Sequence, residues 1–268
     1  MPSHPVLDVL RTQAHALTRR AHAPFSETPA AAVLLLDSGH WIPGVRVESA
    51  SYGLTLPALL NAYTTAVAAE VAARSVAVVL SRPFRREEAL YVDALSTGPY
   101  EAAADDAWVR GGWTGNGALP TPEAPLSPTL DASIDASPQA GLAHVREIAE
   151  RAYVPASHYP VGALLECEHG ALVPGVNVEH PDWARILCAE RAALGTVHSY
   201  DLPAPKRLFL TCTTDPHGTP CGACRQLLAE LAPDTTLWMD RHATPPEQAT
   251  PSELLPGSFR GHALLQES

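Results

Sequence analysis

No cysteine occurs before residue 167 of this 268-residue chain, and all five, at 167, 188, 212, 221 and 224, fall in the second half. The first half therefore cannot hold a thiolate-bound metal or a thiol nucleophile. The odd count and the C-x-x-C pair argue against a disulfide framework and for metal or redox chemistry. Aromatic residues are also scarce, at 6%, and 18 basic side chains face 29 acidic ones for a net charge of -11. A protein that grips a polynucleotide needs cations along a groove and aromatic faces for stacking, so no nucleic acid polymer is expected as a partner. Nor does any apolar run approach the roughly 18 residues that cross a bilayer, so no membrane partner is expected. The first twenty residues carry Arg11, Arg19 and Arg20 without the apolar segment of a secretory leader, and the expected location is cytoplasmic.

What the chain does have is an internal repeat. A shift of 131 residues lays Arg20-Ala-His-Ala-Pro-Phe-Ser26 on Arg151-Ala-Tyr-Val-Pro-Ala-Ser157, and Pro43-Gly-Val-Arg-Val-Glu48 on Pro174-Gly-Val-Asn-Val-Glu179. Between Arg20 and Glu48, 13 of 29 positions are identical to their partners at that shift. Such a period marks two copies of one supersecondary unit. Between them, residues 111–136 are rich in Gly, Pro, Ser and Thr and read as a linker. The expected division is 1–110, 111–136 and 137–268. Each copy reads as a helix, two short strands around a Gly turn, a buried helix and an apolar strand. The second copy adds a helix opening at Cys221 and a strand at 236–240. Alternating helices and strands imply an α/β fold on mixed sheets.

The chemistry concentrates in Cys188-Ala-Glu190 and Pro220-Cys-Gly-Ala-Cys224. Three thiolates leave a tetrahedral zinc one open position, and a carboxylate beside it can carry protons. Both words fall at expected helix starts, where the helix dipole favours anions. Cys167 and Cys212, inside apolar strands, read as core residues.

A ligand two residues before a glutamate, followed by P-C-x-x-C, is the zinc-deaminase signature with Cys in place of His. With Cys188-Ala-Glu-Arg-Ala-Ala, Pro220-Cys-Gly-Ala-Cys-Arg-Gln, Gly175-Val-Asn-Val-Glu179 and Glu253-Leu-Leu-Pro-Gly-Ser-Phe259, the second half resembles the cytidine deaminases that act on free nucleosides. The resemblance covers most of 137–262, and reaches 5–80 through the repeat. It implies two tandem deaminase-like α/β/α sandwiches and one zinc per chain, bound in the second half by Cys188, Cys221 and Cys224. Zinc would activate a water, and Glu190 would take its proton so that hydroxide attacks C4 of cytidine or 2'-deoxycytidine and ammonia leaves.

By the same resemblance, Asn177 and Glu179 would hold the ribose 3'-hydroxyl, and Tyr159, where the family usually has Phe, and Ala189 would line the substrate pocket. Arg191 and Arg225 are placed as donors that offset the charge of three thiolates.

In the first copy, Cys188 corresponds to Pro57, Glu190 to Leu59 and Asn177 to Arg46, so that copy has lost the catalytic group. It retains Ala50-Ser-Tyr52, a loop that in the family reaches a neighbouring subunit's site. Ala50, Tyr52 and Phe259 are the candidates for contributions across an interface, and a homodimer is expected. Two alternatives stand beside this reading: a deaminase of a cytosine nucleoside antibiotic such as blasticidin, and a non-catalytic zinc- or nucleoside-binding module.

Overall fold

The structure, a computed structural model, describes residues 4–113, 118–135, 137–261 and 264–265. The first half runs α1 (Pro5–Leu17), β1 (Ala31–Leu36), β2 (Trp41–Val45), α2 (Ala58–Ala68), β3 (Ser75–Leu80), α3 (Arg86–Asp93), β4 (Tyr100–Ala104) and β5 (Ala107–Arg110). The second runs α4 (Pro138–Ala149), β6 (Val161–Cys167), β7 (Leu172–Val176), α5 (Ala189–Tyr200), β8 (Pro205–Cys212), α6 (Gly222–Leu231), β9 (Thr236–Met239), β10 (Glu247–Ala249) and α7 (Pro251–Leu254).

Proline opens both outer helices, where a missing N–H costs nothing. In α1, Leu7, Leu10, Ala14 and Leu17 form the buried stripe, and in α4 it is Leu142, Val145, Ile148 and Ala149. Ser137 caps α4 by accepting the Gln139 N–H. Strand β1 is buried at every position, as a sheet covered on both faces requires. Helices α1 and α2 pack on the first sheet, and α4 and α5 on the second. In α2 every residue but Val67 is buried, because it packs on its own sheet and on α5 of the other half.

The repeat governs the first three strands of each sheet and stops there. The first sheet has the order β2-β1-β3-β5-β4 and the second β10-β9-β8-β6-β7. In the second, β9 lies parallel to β8 after the crossover through α6. In the first, the strand beside β3 is β5, which is antiparallel to it, and β4 forms the edge. The two halves thus fill corresponding places with strands of opposite direction. Sequence reading did not anticipate α3, β4 or β5.

Element ends also differ from expectation. Helix α2 begins only at Ala58, because Pro57 sits extended just before it after a 3-10 turn at Tyr52–Leu54. Of the expected linker, residues 114–117 and 136 lie outside the described residues, as do 1–3, 262–263 and 266–268 of the flanking domains. The described part is a strap rather than a free tether. Leu126 N–H donates to Trp41 O (2.8 Å) on edge strand β2, and Leu130 N–H to Leu172 O (2.9 Å) on edge strand β7.

Candidate active site

Cys188 and Cys221 occupy the N-cap positions of α5 and α6, both with extended backbone, so two helix N-termini converge. Cys224 lies one turn into α6, on the same side as Cys221. Sγ of Cys221 is 3.7 Å from Sγ of Cys188 and 3.6 Å from Sγ of Cys224. All three sulfurs lie within 4.8 Å of one another. Tetrahedral Zn–S bonds of ~2.3 Å place sulfurs ~3.8 Å apart, so the spacing and the soft donor set both fit zinc.

The three sulfurs share their protons unequally. Contacts with the Cys188 and Cys224 sulfurs, and then the Cys224 and Ala223 backbone N–H groups, pull the Cys221 thiol down to about 2. The contact with Cys221 pushes Cys188 up to about 12, and Cys224, fully buried and in contact with the other two sulfurs, is pushed well up. Cys221 is thus the sulfur most readily ionised, and a bound dication would displace the remaining thiol protons.

Glu190 is 3% exposed, and burial raises its carboxyl to about 7, with the charge of Cys221 adding to the effect. A carboxyl poised there can both accept and return a proton near neutral pH. It shares the wall of one cavity, of about 160 Å³, with Cys188, Cys221, Asn177 and Tyr159. Asn177 Oδ1 accepts from Val161 N–H (2.8 Å), and its Nδ2 donates to Tyr159 O (2.9 Å). Tyr159 Oη donates to Asp215 (2.9 Å).

Several expected residues stand elsewhere. Glu179 is not on this wall. Its buried carboxylate accepts the Ala156 N–H (2.7 Å) and the Ser157 N–H (3.2 Å). Glu48, its partner in the repeat, accepts the equivalent Phe25 and Ser26 N–H groups (both 3.0 Å) in a half without a metal site. The shared role of this glutamate is therefore to latch the loop that follows the first helix. Ala189 is fully buried in the first turn of α5, behind the wall. Arg225 donates to Pro220 O (2.7 Å), Thr219 Oγ1 (3.2 Å) and Leu254 O (3.2 Å), which fixes the loop into α6 and leaves none of these donors on a sulfur. Arg191 has a buried Nε without a hydrogen-bond partner, and its charge pulls the Glu190 carboxyl down against burial.

None of Ala50, Tyr52 and Phe259 lines the cavity. Ala50 is buried, its N–H donating to Glu230 (2.6 Å) on α6, while Tyr52 is 83% and Phe259 50% exposed. Cys212, read from sequence as core, is buried and also lines the cavity, together with Gly218 and Thr219. Gly218, Thr219 and Asp215 lie between β8 and α6, where the copies no longer align, and Cys212 is the last residue of β8, so the repeat could not point to them.

Residues 136–239 match the family described as "Cytidine and deoxycytidylate deaminase zinc-binding region", and residues 3–81 match a second family description in the same words. A cytidine deaminase of Halalkalibacterium halodurans is 39% identical over 111 residues, which cover 41% of this chain and 84% of that protein. A cytidine deaminase of Mycobacterium tuberculosis is 37% identical over 116 residues, covering 42% of this chain and 82% of its own. Among solved structures, a cytidine deaminase from Burkholderia pseudomallei is similar at 29% identity over 45% of this chain and 98% of that one, with a TM-score of 0.43.

Proposed function

Because the chain belongs to the cytidine deaminase family, we propose that its second half hydrolyses cytidine and 2'-deoxycytidine to the uridines. Water adds its oxygen to C4 of the pyrimidine, the C4–N bond breaks, and ammonia leaves. A zinc ion, one per chain, held by Cys188, Cys221 and Cys224, supplies when bound the Lewis acidity that makes water nucleophilic at neutral pH. Glu190 takes the proton of the attacking water and delivers protons to the ring nitrogen and the departing amine. Burial of Glu190 excludes bulk water from that transfer. Asn177 and Tyr159 bound the substrate side of the cavity.

One observation carries the reading: two of three sulfurs at zinc spacing, Cys188 and Cys221, share a cavity wall with a buried carboxyl poised near 7 that is not itself part of the sulfur group. A non-catalytic zinc module has no use for that carboxyl. The test is Glu190→Gln, with ammonia release and metal content read on one preparation. Turnover should fall on the order of 10³-fold while zinc remains at one per chain. Unchanged turnover, or loss of the zinc, sinks the assignment of Glu190.

The position of Glu179 bears on substrate class. Without it on the wall, only Asn177 of the expected ribose pair lines the cavity. A cytosine nucleoside antibiotic such as blasticidin therefore belongs in the assay beside cytidine and deoxycytidine, and their kcat/KM order decides the substrate.

We further infer that the site is completed across a homodimer, with residues 1–110 as the non-catalytic domain and 137–268 as the catalytic one. The support is the exposure of Tyr52 and Phe259, neither of which lines the cavity of its own chain. Light scattering should give a dimer mass, and Tyr52→Ala should raise KM or lower kcat. A monomer with unaltered kinetics in Tyr52→Ala refutes this arrangement.

A further inference from the structure

The half that lost the catalytic group kept the cleft. A cavity of about 310 Å³ is walled in part by Ala30, Arg46 and Pro57. A shift of 131 carries these to Val161, Asn177 and Cys188, all on the wall of the catalytic cavity. The two cavities are thus the same place in two copies of one fold, and the first is the larger. Where the second gathers sulfur and carboxyl, the first gathers guanidinium groups. Arg46, Arg82 and Arg85 come from the first half, and Arg185 reaches in from the second. Four of the seventeen arginines of a chain with net charge -11 thus line one cavity.

The engagements of these arginines differ. Arg82 is held by Glu88 through two contacts of 2.8 Å, and Arg185 by Asp182 at 2.7 Å. Arg46 meets Glu48 at 2.8 Å through Nη2, but its Nε is buried with no hydrogen-bond partner. Arg85 is exposed on the wall and forms no ion pair among the described residues. Glu87 and Glu88 also line the cavity, and Glu88 is engaged by Arg82 and by the Arg85 N–H. A buried donor without an acceptor is destabilising until a ligand supplies one. Guanidinium forks match the paired oxygens of phosphate, and partly exposed ion pairs such as those of Arg82 and Arg185 are weak enough to rearrange around one.

We propose that this cleft binds a nucleotide, with Arg46 and Arg85 on its phosphate and the nucleoside moiety in the part of the cleft that corresponds to the catalytic pocket. The choice of a nucleoside moiety rests on the deaminase reading of the second half. The phosphate contact rests on the arginines alone.

Calorimetry on the full chain carrying Glu190→Gln, in which no turnover intervenes, tests the proposal with cytidine 5'-monophosphate, cytidine and inorganic phosphate as titrants. Cytidine 5'-monophosphate should bind in the presence of saturating cytidine, more tightly than phosphate, and more weakly as salt rises. Arg85→Gln, at an exposed position that leaves folding intact, should weaken that binding at least tenfold, as should Arg46→Gln. Neither variant should change cytidine binding. Affinity unchanged in Arg85→Gln, or displacement of the nucleotide by cytidine, overturns the proposal. Inorganic phosphate binding as tightly as the nucleotide overturns its nucleoside part. A chain that fails to deaminate cytidine but still binds the nucleotide in this Arg85-dependent way removes the proposed function and leaves the arginine site standing.

Discussion

The hydroxyl oxygens of Thr65 and Thr196 lie 2.7 Å apart in the buried contact between α2 and α5, and the two residues are 131 positions apart. That separation is the repeat shift itself, so the pair is one position of the fold meeting its own copy on an approximate two-fold axis. Other contacts obey the same symmetry: Arg20 donates to Ser199 O (3.1 Å) and Arg151 to Ala68 O (2.9 Å), each the image of the other. The halves are joined as two subunits of an isologous dimer would be. Each hydroxyl also contacts a carbonyl of its own helix, Thr65 with Asn61 O and Thr196 with Ala192 O. Removing one therefore leaves the other satisfied. Thr65→Val, Thr196→Val and the double variant, compared by urea unfolding, should give single losses of about 1 kcal/mol and a coupling energy near 0.5–1 kcal/mol. Strict additivity would mean the contact contributes nothing.

Gly44 and Gly175 make a second symmetric pair, and here equal structure should give unequal function. A Cβ at Gly44 would lie 2.0 Å from Ala58 O, and one at Gly175 2.2 Å from Ala189 O. Both clash with the first turn of a helix, where only glycine allows the approach. Gly44→Ala and Gly175→Ala should each cost on the order of 1–3 kcal/mol. Only Gly175→Ala displaces the turn that carries Cys188 and Glu190, so only it should lower kcat and zinc occupancy in protein that is still folded at assay temperature. Equal kinetic losses would show that the strain spreads through the α2–α5 contact.

The metal group was legible because its chemistry sits in two contiguous words, Cys-Ala-Glu and Pro-Cys-Gly-Ala-Cys, each at a helix start. The repeat made the first three strands of each sheet legible twice. Beyond β3 the first half has no counterpart to read against, and β4 and β5 are short, YEAAA and AWVR, without a sustained period to read. Glu179 stands off the cavity wall for a local reason. Residues two apart share a face only along a continuing strand, and β7 ends at Val176, so Asn177 and Glu179 are free to diverge. Asp215, Cys212 and Tyr159 meet only in space, and the arginine-lined cleft draws on residues as distant as 46 and 185.

Removal of the metal should expose an ordered set of thiol reactivities. Cys221 is exposed and drawn toward the thiolate, Cys188 is half-buried with its proton held, and Cys224 is buried. In chelator-treated protein, iodoacetamide should modify Cys221 first and Cys224 last, while Cys167 and Cys212 stay unmodified until unfolding. Zinc added back beforehand should protect all three. Mass spectrometry of the labelled peptides reads the order directly, and labelling that ignores added zinc would exclude these sulfurs as its ligands.

Acid should loosen the contact between the halves before it titrates most carboxylates. His198, near the end of α5, lies 5.8 Å from His22 ring to ring, with Asp201 beside it and Arg20 on the neighbouring Ser199 carbonyl. Burial first, and then the His22 ring, hold its imidazole down to about 4 from an ordinary 6.5, while Asp201 opposes them. Between those two values the unfolded chain binds a proton that the folded chain refuses. Stability is therefore retained above pH 6.5 and declines as pH falls toward 4, by on the order of 2–3 kcal/mol for this group. Urea unfolding at pH 7, 6, 5 and 4.5 should show that decline in the wild-type chain and a shallower one in His198→Leu, whose position no longer titrates. Identical slopes in the two proteins would mean that the imidazole is hydrated in solution and exerts no hold on the junction of the two halves.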